Sequence, residues 1–275
     1  MRTVILVIFV LCGFNVLAQP IGEYSPAWSP DGKMIAYHKN GEGYQWDLVI
    51  LTIESGEVKR LTQSPAYDTD VSWSPDSKAI VFRSDRNGDS ELYLYDLETE
   101  QSRLLLSHPG VDMHPIWSPN GEHIAFLSRA EGVSQLYLLE LKSKSVQKLT
   151  TMKQSVFHPS WSPDGLSIYF DSKVGQFGQI FNIRLKDKQV TQVTKGQFNK
   201  IAAKPTKDGK TLWVTVNRQG QWDIEAYSLA QKTWVAKFAS DYHEMKLSLS
   251  PGETKGVFSQ SNERGEFNLV VKAVK

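Results

Sequence analysis

Five residues with acid–base or metal-ligating side chains stand at repeated offsets in this chain: Asp68, Asp70, Asp112, His114 and His158. Each lies three or five residues before a stretch that reads Trp-Ser-Pro-Asp or Trp-Ser-Pro-Asn, at Trp73, Trp117 or Trp161. Imidazole and carboxylate together suit a divalent metal or a polar ligand, provided that the fold brings them to one place. Counting three residues back from every copy of the stretch gives Ser25, Asp70, His114, His158, Ala202 and Lys246, and counting five back gives Glu23, Asp68, Asp112, Val156, Lys200 and Glu244. Residues two apart on a strand share a face, so both sets are expected on the same side. A plainer reading treats His114-Pro115 and His158-Pro159 as packing or capping residues. The sequence assigns no metal and no cofactor to the site, only a tentative ligand-binding sector.

What must position these residues is the repeated stretch. Trp28-Ser29-Pro30-Asp31-Gly32, Trp73-Ser74-Pro75-Asp76-Ser77, Trp117-Ser118-Pro119-Asn120-Gly121 and Trp161-Ser162-Pro163-Asp164-Gly165 are close copies, and Pro205 to Gly209 and Leu249 to Glu253 are degraded ones. Their first residues, 28, 73, 117, 161, 205 and 249, are spaced 45, 44, 44, 44 and 44 apart. Pro presets φ for a turn, Asp accepts local backbone hydrogen bonds and Gly supplies a positive φ, so each copy is a hairpin turn between two strands. A period of this length with strand-like content in every repeat indicates an all-β propeller of six four-stranded blades.

The second repeat shows the pattern. Asp68 to Ser74 reads as a first strand, Ala79 to Ser84 as a second, Glu91 to Tyr95 as an alternating third and Arg103 to Leu105 as a fourth. Fourth strands are expected to end at Leu61-Thr62, Leu149-Thr150 and Val193-Thr194. By the same count the sixth blade needs to reach about residue 282, beyond Lys275. It is expected to lack its outer strand, with Phe267 to Val274 at its edge.

Residues 1–18 carry Arg2, an apolar run from Val4 to Leu11 and the stretch Val16-Leu17-Ala18, which reads as a signal peptide ahead of a single propeller domain over residues 19–275. The run is shorter than the ~20 residues a membrane-spanning helix needs, so no span is expected after cleavage. Cys12 is the only cysteine, and without residues 1–18 the chain has 30 basic and 30 acidic residues. Neutrality without a basic stripe argues against nucleic acid as a partner.

The repeat resembles the WD40-like propeller repeat of TolB and its relatives, in which a Trp-Ser-Pro-Asp-Gly turn opens every blade, and the resemblance covers residues 21–275. It implies a six-bladed periplasmic propeller, and the chain is expected to be a secreted or periplasmic, monomeric binding or scaffolding module whose partner is a protein or a cell-envelope polymer. TolB carries an N-terminal α/β domain before its propeller, and with only Gln19 to Glu23 between the signal and the first blade none is expected here. Oligogalacturonate lyases on related repeats hold a metal with channel histidines, so a metal-dependent lyase or hydrolase is the rival reading.

No G-x-S-x-G, H-E-x-x-H, C-x-x-C or phosphate-binding glycine loop is present, which favours binding over catalysis. Asp85-Arg86-Asn87-Gly88-Asp89-Ser90-Glu91 has its Gly misplaced for a calcium loop and reads as a hairpin. Trp28, Trp73, Trp117 and Trp161 are expected between blades, whereas Trp46, Trp213, Trp222 and Trp234 break the repeat and are open to surface or ligand roles.

Overall fold

The computed structural model describes residues 22–41, 44–238, 242–262 and 267–274. The expected signal peptide lies outside the described residues. Within them every regular element is a β-strand, and the strands form six antiparallel sheets in which sequence neighbours pair. Five sheets have four strands. The sixth, made of Glu244–Leu249, Lys255–Ser261 and Phe267–Ala273, has three among the described residues, in line with the residue count.

The turns form for the reasons their residues suggest. Ser29 Oγ donates to Asp31 Oδ1 at 2.7 Å and accepts the Met34 N–H at 2.9 Å, while Asp31 Oδ1 also accepts the Lys33 N–H at 3.0 Å. Ser74, Ser118, Ser162 and Thr206 repeat the arrangement with their own Asp or Asn. The residue that closes the turn has a positive φ, from 76° at Gly32 to 53° at Glu253.

Fourth strands stop earlier than expected, at Arg60, Lys148 and Gln192. The Leu-Thr and Val-Thr pairs after them cap the neighbouring strand instead. The hydroxyls of Thr62, Thr150 and Thr194 accept the N–H groups of Leu48, Leu136 and Ile180 at 2.9–3.0 Å. These buried donors belong to third strands and would otherwise lack a partner where the short outer strand ends.

Six apolar clusters each join two neighbouring blades. Second strands therefore read apolar on both faces. In Met34–Gly41, Ile35 and Tyr37 pack toward Val257 and Leu269 of blade six, while Ala36 packs toward Trp73, Ile80 and Phe82 of blade two. Burial of such side chains, about 1.5–3 kcal/mol each, holds the blades together without a disulfide. The ring closes between blades six and one, where the Trp28 N–H donates to Ser248 Oγ at 2.9 Å. Trp213 corrects a sequence expectation: it is buried in the blade five–six cluster against Phe238, because its blade uses a Trp on the core face.

Candidate functional site

The first strand of every blade faces the axis, and each carries the same irregularity. Pairing to the second strand advances three residues on the first strand for two on the second, as from Tyr24↔His38 to Ala27↔Ala36, and this recurs in all six blades. That is a β-bulge, which re-aims the side chains around it. The residues three back from the turn sit in it with left-handed backbone: Ser25, Asp70, His114, His158, Ala202 and Lys246 have φ between 46° and 57°.

The bulge separates the two sets that strand alternation places together. All six residues three back line one axial cavity of about 260 Å³, joined there by Lys204. Asp68, Asp112, Val156, Lys200 and Glu244, five back, are not among its lining. Asp68 is buried, and Arg86 Nη2 donates to both of its oxygens at 3.0 Å. Asp112 is buried facing His108 Nδ1 at 3.4 Å, Glu244 pairs with Lys272 at 2.9 Å, and Lys200 Nζ donates to the Phe198 carbonyl at 2.7 Å. The side chain of Glu23 lies outside the described residues. Of the five candidates, then, Asp70, His114 and His158 converge, and Asp68 and Asp112 do not.

A bulge frees backbone N–H groups from the ladder, and neighbouring side chains accept them. The His114 N–H donates to Asp70 Oδ2 at 3.2 Å, the Ala202 N–H to Asp171 Oδ1 at 3.0 Å and the Lys246 N–H to Thr215 Oγ1 at 3.4 Å. The same carboxylates hold the imidazoles: His114 Nδ1 lies 3.1 Å from Asp70 Oδ1, and His158 Nδ1 lies 2.8 Å from Asp171 Oδ1. The two rings are 5.6 Å apart, centroid to centroid. Across the cavity Lys246 Nζ donates to Ser25 Oγ at 2.9 Å.

The charges follow from these contacts. Burial alone would raise the Asp70 carboxyl, but His114, through charge and hydrogen bond, and Lys246 hold it well below the ordinary carboxylate range. Burial pushes the His114 imidazole down against the pull of Asp70. It also lowers Lys204 to about 8, with the charge of Lys246 adding to the effect. One side of the cavity thus holds the Asp70 carboxylate, engaged by His114 and a backbone N–H, and His158, engaged by Asp171, while Lys204 and Lys246 line the other. Sequence reasoning missed Lys204, Asp171 and Thr215. The last two share one repeat offset with His38 and Arg83, ten residues after each reference position, which is the signal that could have found them.

Among the described residues no group of three His, Cys, Asp or Glu side chains is placed to hold a metal ion. Both imidazole Nδ1 atoms are engaged by carboxylates, a contact that metal-ligating histidines also make with their second ring nitrogen. No helix among the described residues is long and apolar enough to cross a membrane.

Six radial sheets around a charged axial cavity define a six-bladed β-propeller. The chain belongs to the TolB beta propeller domain family, which matches residues 15–98 and 87–274. Its fold is similar to TolB from Acinetobacter baumannii, at TM-score 0.67 and 19% identity over 90% of this chain and 62% of that one. It is equally similar to an oligogalacturonate lyase in complex with manganese, at TM-score 0.66 and 16% identity over 94% of this chain and 78% of that one. In sequence it is 39% identical over 56 residues, 20% of this chain, to the uncharacterized peptidase YuxL of Bacillus subtilis. That segment spans 8% of YuxL. Identities this low over the solved structures establish the fold alone.

Proposed function

We propose that this protein is a periplasmic or secreted binding module, and that it holds a carboxylate-bearing segment of a protein or of a cell-envelope polymer in the axial cavity. The observation that carries this reading is the pair Lys204 and Lys246 lining a cavity whose Asp70 carboxylate is already engaged. An incoming carboxylate meets two ammonium groups in a partly desolvated site, where charge-assisted hydrogen bonds are strong. Above the cavity, on the face of the turns, a wider depression shares Trp28, Pro30, Lys204 and Ser248 with it and adds Pro119, Pro163 and Pro251. An extended chain can lie across this rigid apolar rim while one acidic group reaches down.

Asp70, His114 and His158 hold the cavity in shape in this reading, through the contacts with bulge N–H groups and with each other. For that reason the lysines, which cap no N–H in the bulges described above, are the better probes. Calorimetric titration with oligoglutamate and with oligogalacturonate distinguishes a protein from a polymer as the source of the carboxylate. Binding of one of them by the wild type, lost in Lys204→Met/Lys246→Met at unchanged melting temperature, is the expected result. No binding of either, or equal binding by the variant, rejects the reading. A stoichiometric divalent ion in the purified protein, lost in His114→Ala/His158→Ala, would favour the rival metal-dependent lyase or hydrolase instead.

A further inference from the structure

At the opposite end of the ring from the turns, four aromatic rings run from the surface into blade one. Tyr67 is 51% exposed, and its ring lies 6.2 Å from that of Trp46 at 27°. Trp46 lies 4.8 Å from Tyr24 and 5.7 Å from His38, and Tyr24 and His38 stack at 5.5 Å. The inner two are each 6% exposed, so the outer two rest on a fixed base.

Trp46 breaks the rule of its repeat. Blades two and three have Ser90 and Ser134 at this place, whose hydroxyls donate to the carbonyls of Asp112 and Val156 in the next blade at 2.8 and 3.1 Å. Trp46 keeps only the backbone contact, its carbonyl accepting the Asp68 N–H at 2.9 Å. It also stands unpaired in a register shift, between Lys39↔Asp47 and Asn40↔Gln45, with φ at 73°. A bulky residue in the left-handed region is strained, and such strain persists where the position serves something other than packing. Here it sets a half-buried indole beside an exposed tyrosine.

We infer that Trp46 and Tyr67 form a saccharide-binding platform, separate from the axial cavity, for a pyranose ring of a neutral glycan. The negative π-face of an aromatic ring attracts the partly positive C–H groups on the flat face of a sugar. The rings lie too close to one another for a cation to sit between them, which removes the aromatic-cage arrangement used for quaternary ammonium groups. A planar polar group stands at the rim: Asp85 Oδ1 accepts the Tyr67 N–H at 2.8 Å, which leaves its second oxygen for a sugar hydroxyl. An apolar face with a few fixed polar groups is the usual composition of a small-ligand site.

The test is sedimentation of the full chain with insoluble chitin, cellulose and β-1,3-glucan, all neutral. Wild-type protein should sediment with at least one of them and be released by the matching soluble oligosaccharide. Trp46→Ala and Tyr67→Ala should each weaken retention roughly two- to tenfold, as loss of one stacking partner implies, while Tyr67→Phe retains it. Should Trp46→Ala not fold, the exposed Tyr67→Ala carries the test, with its melting temperature as the control. Retention on none of the three, equal retention by a folded Tyr67→Ala, or release by a polyproline peptide and not by oligosaccharides overturns the proposal.

Discussion

Asp112 shows at the scale of one residue how burial becomes a solution property. Its carboxyl is buried beside His108, and burial pushes it from the ordinary 3.8 up to about 7. Between those values the folded protein keeps a proton that the unfolded chain has lost. Stability contributed by this group is therefore full below about pH 4 and falls as pH rises through about 7. Asp112→Asn should remove that slope. Denaturant melts of wild type and variant at pH 4, 5.5 and 7 should diverge steadily, the variant gaining relative stability at the higher pH. Parallel stabilities across the series would mean that Asp112 is ionised in the folded state. Asp70 acts in the other direction, since its lowered carboxyl loses stability only as the solution becomes strongly acidic.

Elements in this chain are specified by local chemistry, and where that chemistry is degraded the cost can be measured. Ser77 occupies the turn position that Gly fills in blades one, three, four and five, with φ at 61°, and its Oγ accepts the Asp31 N–H of the preceding blade at 3.1 Å. Ser77→Ala and Ser77→Gly both lose that acceptor, but only Gly is free of the left-handed penalty. The Gly variant should be about 1–2 kcal/mol more stable than the Ala variant by thermal melting. Equal stability would refute the assigned backbone. Thr150 makes the corresponding case for the outer strands. Thr150→Val orphans the buried Leu136 N–H and should cost about 1–3 kcal/mol, whereas Thr150→Ser should cost less. A Val variant as stable as the Ser variant would show that the hydroxyl caps nothing.

The same local chemistry explains what could be read from the sequence alone. Ser-Pro-Asp-Gly encodes its own turn, so the blades, their number and the short sixth blade were legible from spacing. The bulges were not. A bulge with left-handed backbone is usually marked by Gly, and here the position holds Ser, Asp, His, His, Ala and Lys. Plain alternation therefore put Asp68 and Asp112 into the cavity, where the extra residue turns them into their own blades. Lys204 escaped notice because it lies one residue before its degraded turn, where the clean repeats carry Ala27, Ser72, Ile116 and Ser160.

For the whole molecule, the ring gives the cavity a polarity that no single blade has. Blades two to four bring carboxylates and imidazoles that engage one another, and blades five and six bring the two lysines. An anionic group held at the lysines depends on Lys204 being charged, and burial lowers that ammonium to about 8. The account is tested most directly by the affinity for whichever of oligoglutamate and oligogalacturonate binds, measured from pH 6.5 to pH 9.5 in the wild type and in Lys204→Met. Wild-type affinity should hold at the lower end and fall as pH rises through about 8, while the variant binds more weakly with a flatter profile over that window. A wild-type affinity independent of pH, or one whose fall through about 8 persists in Lys204→Met, would contradict an anion site built on Lys204.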